Sequence, residues 1–291
     1  MEKYKHIVAC LDLSGIDRWI IRYAAFFADL MKSERLTFIH VIQSYDLPEK
    51  EQKSSQSDVR LKDYLHWKVN EHADKYNLEA ANVEILVKKE NRDAAQVIVD
   101  YVNESAAGLT ILGKKADEDR KEMYSGKIMS MGQSDMLLVP LSPTHNLSNI
   151  LLALDFTSSS EQAFEIGDRI ARHSNASLSC RMLYTLPKAY FPYTIRSFSS
   201  EEAQVNATGQ MHSFFKKVAD NPEKISCSKE VGEYHEQGND LMEHANATGI
   251  HLVILGAKGQ TNQTSTLRGM VAGQVRKYKS SVPVLIVKKN T

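Results

Sequence analysis

Two pairs of stretches decide the fold: HIVACLD at 6–12 with LTILGKKA at 109–116, and NILLALD at 149–155 with LVILGAKG at 252–259. Asp12 and Asp155 stand 143 residues apart, as do Gly113 and Gly256, Gly126 and Gly269, and Pro140 and Pro283. Anchors that share one offset across most of each half indicate an internal duplication. The strands after the first helix fall at offset 142 (LTFIHVI at 36–42, LSCRMLY at 178–184), so one residue has been lost in a loop, where indels are tolerated.

Working outward, each half opens with an apolar run ending in Asp, followed by a helical pattern at 17–33 or 159–174. Trp19, Ile20, Tyr23, Ala24, Phe27 and Leu30 recur at spacings of three and four, which makes one apolar face. Further helices are predicted near 59–76, 92–106, 201–219 and 236–248, and further strands at 83–88, 109–113, 136–141, 225–231, 252–256 and 282–287. Strands separated by helical stretches are βαβ units, which build parallel sheets. Runs such as LVILG and VLIV are apolar throughout, as strands covered on both faces are. The expectation is an α/β protein of two tandem, doubly wound, five-stranded parallel-sheet domains of Rossmann-like type. Domain 1 is assigned to 1–143 and domain 2 to 148–291, joined by PTHNLS at 143–148. The last strands, MLLVPLS and VPVLIVK, are expected to pair the halves as an intramolecular pseudo-dimer that hides two sheet edges, with a homodimer as a further option.

Composition narrows the function. Among 291 residues, 36 Lys+Arg balance 36 Asp+Glu, so no basic surplus marks a general nucleic-acid binder. No apolar run reaches the length of a membrane span, and MEKYKHIVACLDL has too short an apolar core for a signal peptide. Three scattered cysteines fit neither a disulfide framework nor a zinc site, and Cys10 and Cys180 read as small buried hydrophobes. The ten histidines show no metal-ligand spacing. No GxxxxGK[ST] or GxSxG occurs, and His235-Glu236-Gln237-Gly238-Asn239 lacks the second histidine of HExxH. A cytoplasmic, non-enzymatic protein without a bound metal is expected, with no nucleic-acid or membrane partner.

In open α/β sheets the ligand crevice lies beyond the carboxyl ends of the strands. In domain 2, Asp155 ends the first strand, where it can accept hydrogen bonds from a ribose or a base edge. Gly256 ends the fourth, and the following loop carries Lys258, Gly259 and Arg268 before Gly269 opens a helix. Glycines admit close approach of backbone, and a helix entrance favours a phosphate.

The G-x2-G-x9-G spacing between an apolar strand and a helix, together with Asp12-Leu13-Ser14 and Asp155-Phe156-Thr157, resembles the universal stress protein family. The likeness extends over essentially the whole chain twice. It implies ATP or a related adenine nucleotide, with the strand-one Asp at the adenosine and the glycine loop around the phosphates. On domain 2 the contacts implied are Asp155, Leu183 (as the strand-two position), Gly256, Lys258, Gly259, Arg268, Gly269, Met270 and Val271. Met270 replaces the family's Ser/Thr and can neither donate to a phosphate nor ligate Mg²⁺. One such lost hydrogen bond costs about 1.5–3 kcal/mol, roughly one to two decades of affinity.

In domain 1 the second glycine is Ala116 and the Ser/Thr position is Lys127, while Asp117, Glu118 and Asp119 bring negative charge. Domain 1 is therefore read as a degenerate copy. Two functions stay open: a stress-response binding or signalling module with nucleotide in domain 2, or a nucleotide-free scaffold acting through protein–protein contacts. Weak ATP hydrolysis is a third, with no base or metal pair identified for it. Tyr190, Phe191, Tyr193 and Phe198 suggest either a flap over their own domain or a lid or partner-docking surface.

Overall fold

A computed structural model of the chain describes residues 2–43, 55–76, 78, 81–114, 119–155, 158–184, 200–219, 227–231, 237–257 and 270–288. The chain divides into two compact units, Met1–His145 and Asn146–Thr291. The aromatic loop at 190–198 lies outside the described residues.

In the first unit, a 3-10 turn at Glu2–Tyr4 leads into β1 (His6–Leu11), α1 (Asp17–Met31), β2 (Arg35–Gln43), α2 (Ser55–Ala73) and β3 (Asn82–Glu90). Then follow α3 (Ala94–Glu104), β4 (Leu109–Gly113), α4 (Asp119–Met131) and β5 (Asp135–Val139). The strands lie in the order β3-β2-β1-β4-β5, all parallel. The second unit repeats this with β6 (Asn149–Leu154), α5 (Ser158–Ser174), β7 (Ser177–Tyr184), α6 (Ser200–Val218) and β8 (Cys227–Val231). It continues through α7 (Gln237–Ala247), β9 (Leu252–Gly256), α8 (Met270–Lys277) and β10 (Val284–Val287), in the order β8-β7-β6-β9-β10, again all parallel. Both units are doubly wound α/β domains with five parallel strands, as the βαβ pattern implies.

Packing follows from the sequence periods. Every residue of β1 and β5 is buried, and α1 packs against α2 on one face of the first sheet while α3 packs against α4 on the other. Ile20, Tyr23, Ala24 and Phe27 of α1 are buried, whereas Trp19 and Leu30 are only half-buried. The helix stops at Lys32, whose φ of 53° lets its N–H close back onto the Ala28 and Asp29 carbonyls. At the start of α3 the Asp93 carboxylate caps the Ala95 N–H at 2.8 Å. Tyr4 donates to Asp135 at 2.7 Å and Lys3 pairs with the same carboxylate at 2.9 Å, which ties the N-terminal turn to β5. Cys10 and Cys180 are buried as expected, and burial pushes the Cys10 thiol up to about 12. No helix among the described residues is long and apolar enough to cross a membrane.

Candidate functional site

In domain 2 the chain runs from β6 to β7 on one side, while β9 flanks β6 on the other, so strand order reverses between β6 and β9. The register Ala153↔Leu255 brings Asp155 and Gly256 to the same end of these neighbours. Asp155 is half-buried and held in orientation by α5: Ser160 Oγ donates to Asp155 Oδ1 at 2.6 Å, and the Asp155 N–H donates to Ser160 Oγ at 3.0 Å. An oriented carboxylate at a strand terminus is an acceptor suited to hydroxyl or amino groups of a ligand.

Gly256 has a packing reason of its own. A Cβ there would lie 2.7 Å from Ser159 Cβ and 3.0 Å from the Ser159 carbonyl carbon, so the glycine lets α5 sit on the end of β9. Gly113 plays the same part in domain 1, where a Cβ would meet Ile16 and Ile20 side chains at 3.0 Å and 3.2 Å. Because the obstacle at Gly256 includes backbone, Gly256→Ala is expected to destabilise domain 2 by about 1–3 kcal/mol. Urea denaturation of ligand-free protein checks this. An unchanged midpoint would show that close approach of α5 is not what requires the glycine.

Leu183 is half-buried on β7. Met270 is the first residue of α8, Val271 behind it is half-buried, and Ala272 is buried. The start of α7 is clamped to α8, with the Gly238 N–H donating to Gln274 Oε1 at 2.7 Å. Lys258, Gly259, Arg268 and Gly269 lie outside the described residues.

Domain 1 departs from this pattern at equivalent positions. Asp17 stands where domain 2 has Ser160 and is fully buried. Its Oδ1 accepts the Asp12 N–H at 3.1 Å and its Oδ2 accepts from Lys68 Nζ of α2 at 3.0 Å. Burial pushes the Asp17 carboxyl up, opposed by the Asp12 N–H and by Lys68. Lys114 stands where domain 2 has Ala257, on the same backbone geometry: each N–H donates at 2.7 Å to the last residue of the neighbouring strand, Val139 or Val287. Gly113 faces α1, so alternation aims Lys114 toward the α3/α4 side. Lys114 is only 7% exposed, its Nζ has no hydrogen-bond partner among the described residues, and burial pushes its ammonium down to about 8.

The first-domain helix entrance also differs. α4 begins at Asp119, so Gly126 lies inside the helix, whereas Gly269 directly precedes α8. DRKEMY contains neither glycine nor proline, and nothing in it opposes an earlier helix start. Lys127, at the position of Met270, pairs with Asp93 at 2.8 Å and holds that carboxyl below its ordinary range. Tyr124 OH donates to Gln43 Oε1 at 3.1 Å, a link from α4 to the end of β2. Ala116, Asp117 and Glu118 lie outside the described residues, as does the Asp119 side chain.

The sequence offered a signal for Lys114, a lysine directly after an apolar strand. It offered none for the Asp17–Lys68 pair, whose members are 51 residues apart. Among the described residues no group of His, Cys, Asp and Glu is arranged to hold a metal.

The model of the universal stress protein family matches residues 3–128 and again 146–288. The chain belongs to the universal stress protein family. The match falls in two tandem segments, so the protein is a tandem member of it. Three solved structures share its fold across nearly the whole chain. A universal stress protein from Archaeoglobus fulgidus DSM 4304 is 11% identical, with a TM-score of 0.69 and 99% of this chain and 98% of that one covered. A functionally unknown protein from Pseudomonas aeruginosa PAO1 is 14% identical, with a TM-score of 0.68 and 99% and 93% covered. A putative universal stress protein from Pseudomonas aeruginosa UCBPP-PA14 is 15% identical, with a TM-score of 0.67 and 99% and 94% covered. No curated protein matches the chain.

Proposed function

We propose that this tandem universal stress protein is a cytoplasmic, non-enzymatic binding or signalling module that holds ATP or a related adenine nucleotide in domain 2. The observation that carries the reading is the carboxylate of Asp155, oriented by Ser160 beside the end of β9 and in the same domain as the entrance of α8. Asp155 would accept from the adenosine and Leu183 would line its strand-two side. Gly256, Lys258, Gly259, Arg268, Gly269, Met270 and Val271 would surround the phosphates, with backbone N–H groups and two cations opposing their charge. Occupancy would order the 257–268 loop, and a protein partner would read the state of that loop.

Domain 1 is given no nucleotide in this reading. Its Lys127 is paired with Asp93, and α4 occupies positions that precede the helix in domain 2. The test is therefore asymmetric. Gly259→Asp is expected to abolish thermal stabilisation by ATP, while Ala116→Asp leaves it intact. Saturation at about 100 times Kd is worth about 2.7 kcal/mol in the parent. Equal effects at both positions overturn the asymmetry.

Met270 favours the second reading, a nucleotide-free scaffold, because a thioether supplies no phosphate donor. Native mass spectrometry of protein purified from cells separates the two. A copurifying adenine nucleotide supports the first, and a clean apo mass with no heat on titration supports the second.

A further inference from the structure

Both tryptophans of the chain, Trp19 and Trp67, lie on the helical layer that α1 and α2 form over one face of the domain 1 sheet. α2 buries Leu65, Lys68, Val69 and Ala73, and its other side exposes Tyr64 by 45% and Trp67 by 58%. These two rings lie 5.8 Å apart. Lys68 joins them to α1, since its Nζ bonds Asp17 at 3.0 Å and lies 5.8 Å from the Tyr64 ring. On α1 the guanidinium groups of Arg18 and Arg22 sit over Trp19, at 4.9 Å and 5.6 Å. Arg18, Arg22 and Lys68 all press the His72 pKa down, beneath the larger effect of burial, so these three cations share the neighbourhood of one neutral imidazole. Of the carboxylates there, Asp17 is engaged by Lys68 and Glu71 lies 3.9 Å from His72. Neither Arg18 nor Arg22 forms an ion pair among the described residues.

We propose that this face docks an acidic segment of a protein partner, with an apolar side chain against Tyr64 and Trp67 and carboxylates on Arg18 and Arg22. The chemistry of the patch selects this occupant. Exposed aromatic rings favour cover by apolar groups, and arginines spread on a ring remain able to form forked hydrogen bonds with carboxylates. A polyanionic nucleic acid needs more neutralising contacts than two arginines give, and the net charge of zero supplies no long-range attraction. An anionic bilayer favours clusters of about four to eight cations, whereas here exposed Asp63 and Glu71 interrupt the positive surface. A second copy meeting the same face would place like charges together. The proposal does not depend on nucleotide in domain 2.

The test is a selection from a random dodecapeptide library on the full chain, counter-selected on the Trp67→Ala/Arg22→Glu variant. Enriched peptides are expected to carry two or more Asp or Glu beside an aromatic or aliphatic residue. They should change the intrinsic tryptophan emission of the parent, bind more weakly as salt rises, and lose at least tenfold in affinity, by anisotropy of labelled peptide, in Trp67→Ala and in Arg22→Glu. Trp67 is exposed and Arg22 half-buried, and parent-like thermal midpoints confirm folded variants. No enrichment over the variant, or enrichment without acidic residues, overturns the proposal. So does binding of oligo-dT or phosphatidylserine vesicles in place of peptide, or a dimer in sedimentation that Trp67→Ala abolishes.

Discussion

Lys68→Met is expected to destabilise domain 1 by about 3–5 kcal/mol, the usual cost of stripping a buried charge of its partner. Asp17 is fully buried, and Lys68 is the one cation within ion-pairing distance of it among the described residues. Met keeps most of the aliphatic stem, so the loss reports charge rather than packing. The remaining carboxylate can relieve its penalty only by taking up a proton. With its folded pKa raised further, the variant's deficit is smallest in acid and grows as pH rises through that pKa. Domain 2 indicates the repair, because Ser160 occupies the equivalent position as a neutral hydroxyl and serves Asp155 from there. The double change Asp17→Ser/Lys68→Met should therefore recover most of the loss. Denaturant curves for the parent, the single and the double variants decide it. A single variant as stable as the parent, or a double no better than the single, would show that the pair does not carry the expected energy.

Lys114→Met is expected to do the opposite and stabilise domain 1 by about 2–3 kcal/mol at neutral pH. Here the ammonium is buried without a partner among the described residues, and burial brings it down to about 8. Folding then expels a proton that the unfolded lysine keeps to about 10.4. Between these values the unfolded state binds more protons, so stability rises with pH across that window. Below about 8 both states are charged and the full penalty applies. The measurement is the difference between parent and variant stability from pH 7 to 10.5, which should hold to about pH 8 and then shrink to near zero. Taking the difference removes Tyr4 and Tyr23, whose hydroxyls burial pushes upward in both proteins. A constant difference, or a destabilised variant, would refute an unpaired charge at this position. Two buried lysines in one domain thus carry opposite signs, decided by whether a carboxylate stands within 3.0 Å.

Much of the second-domain arrangement was legible in the chain. Asp155 closes an apolar run, Gly256 closes another, and Gly269, read as opening a helix, stands one residue before the start of α8 at Met270. What the glycine at 256 does was not legible, because its obstacle, Ser159, belongs to a helix that meets it only in the fold. The departure of domain 1 from the glycine motif is written in the sequence as Ala116 and Lys127. The helix begun at Asp119 and the Lys127–Asp93 pair were not legible, because the pair needs the packing of α3 against α4. Trp19 shows the limit of a periodicity argument: its spacing assigns it to the buried face of α1, but it lies half-exposed at the border, under two arginines.

By itself, the sequence determined a duplicated unit, alternating strands and helices, and parallel sheets. These follow from residue periods and from a constant offset, which are properties of the chain before it folds. Only the tertiary structure decided which charges share a buried environment. Asp17 and Lys68 become a pair, and Lys114 a buried cation unpaired among the described residues, because the energy of a charge depends on what folding brings within a few ångströms of it.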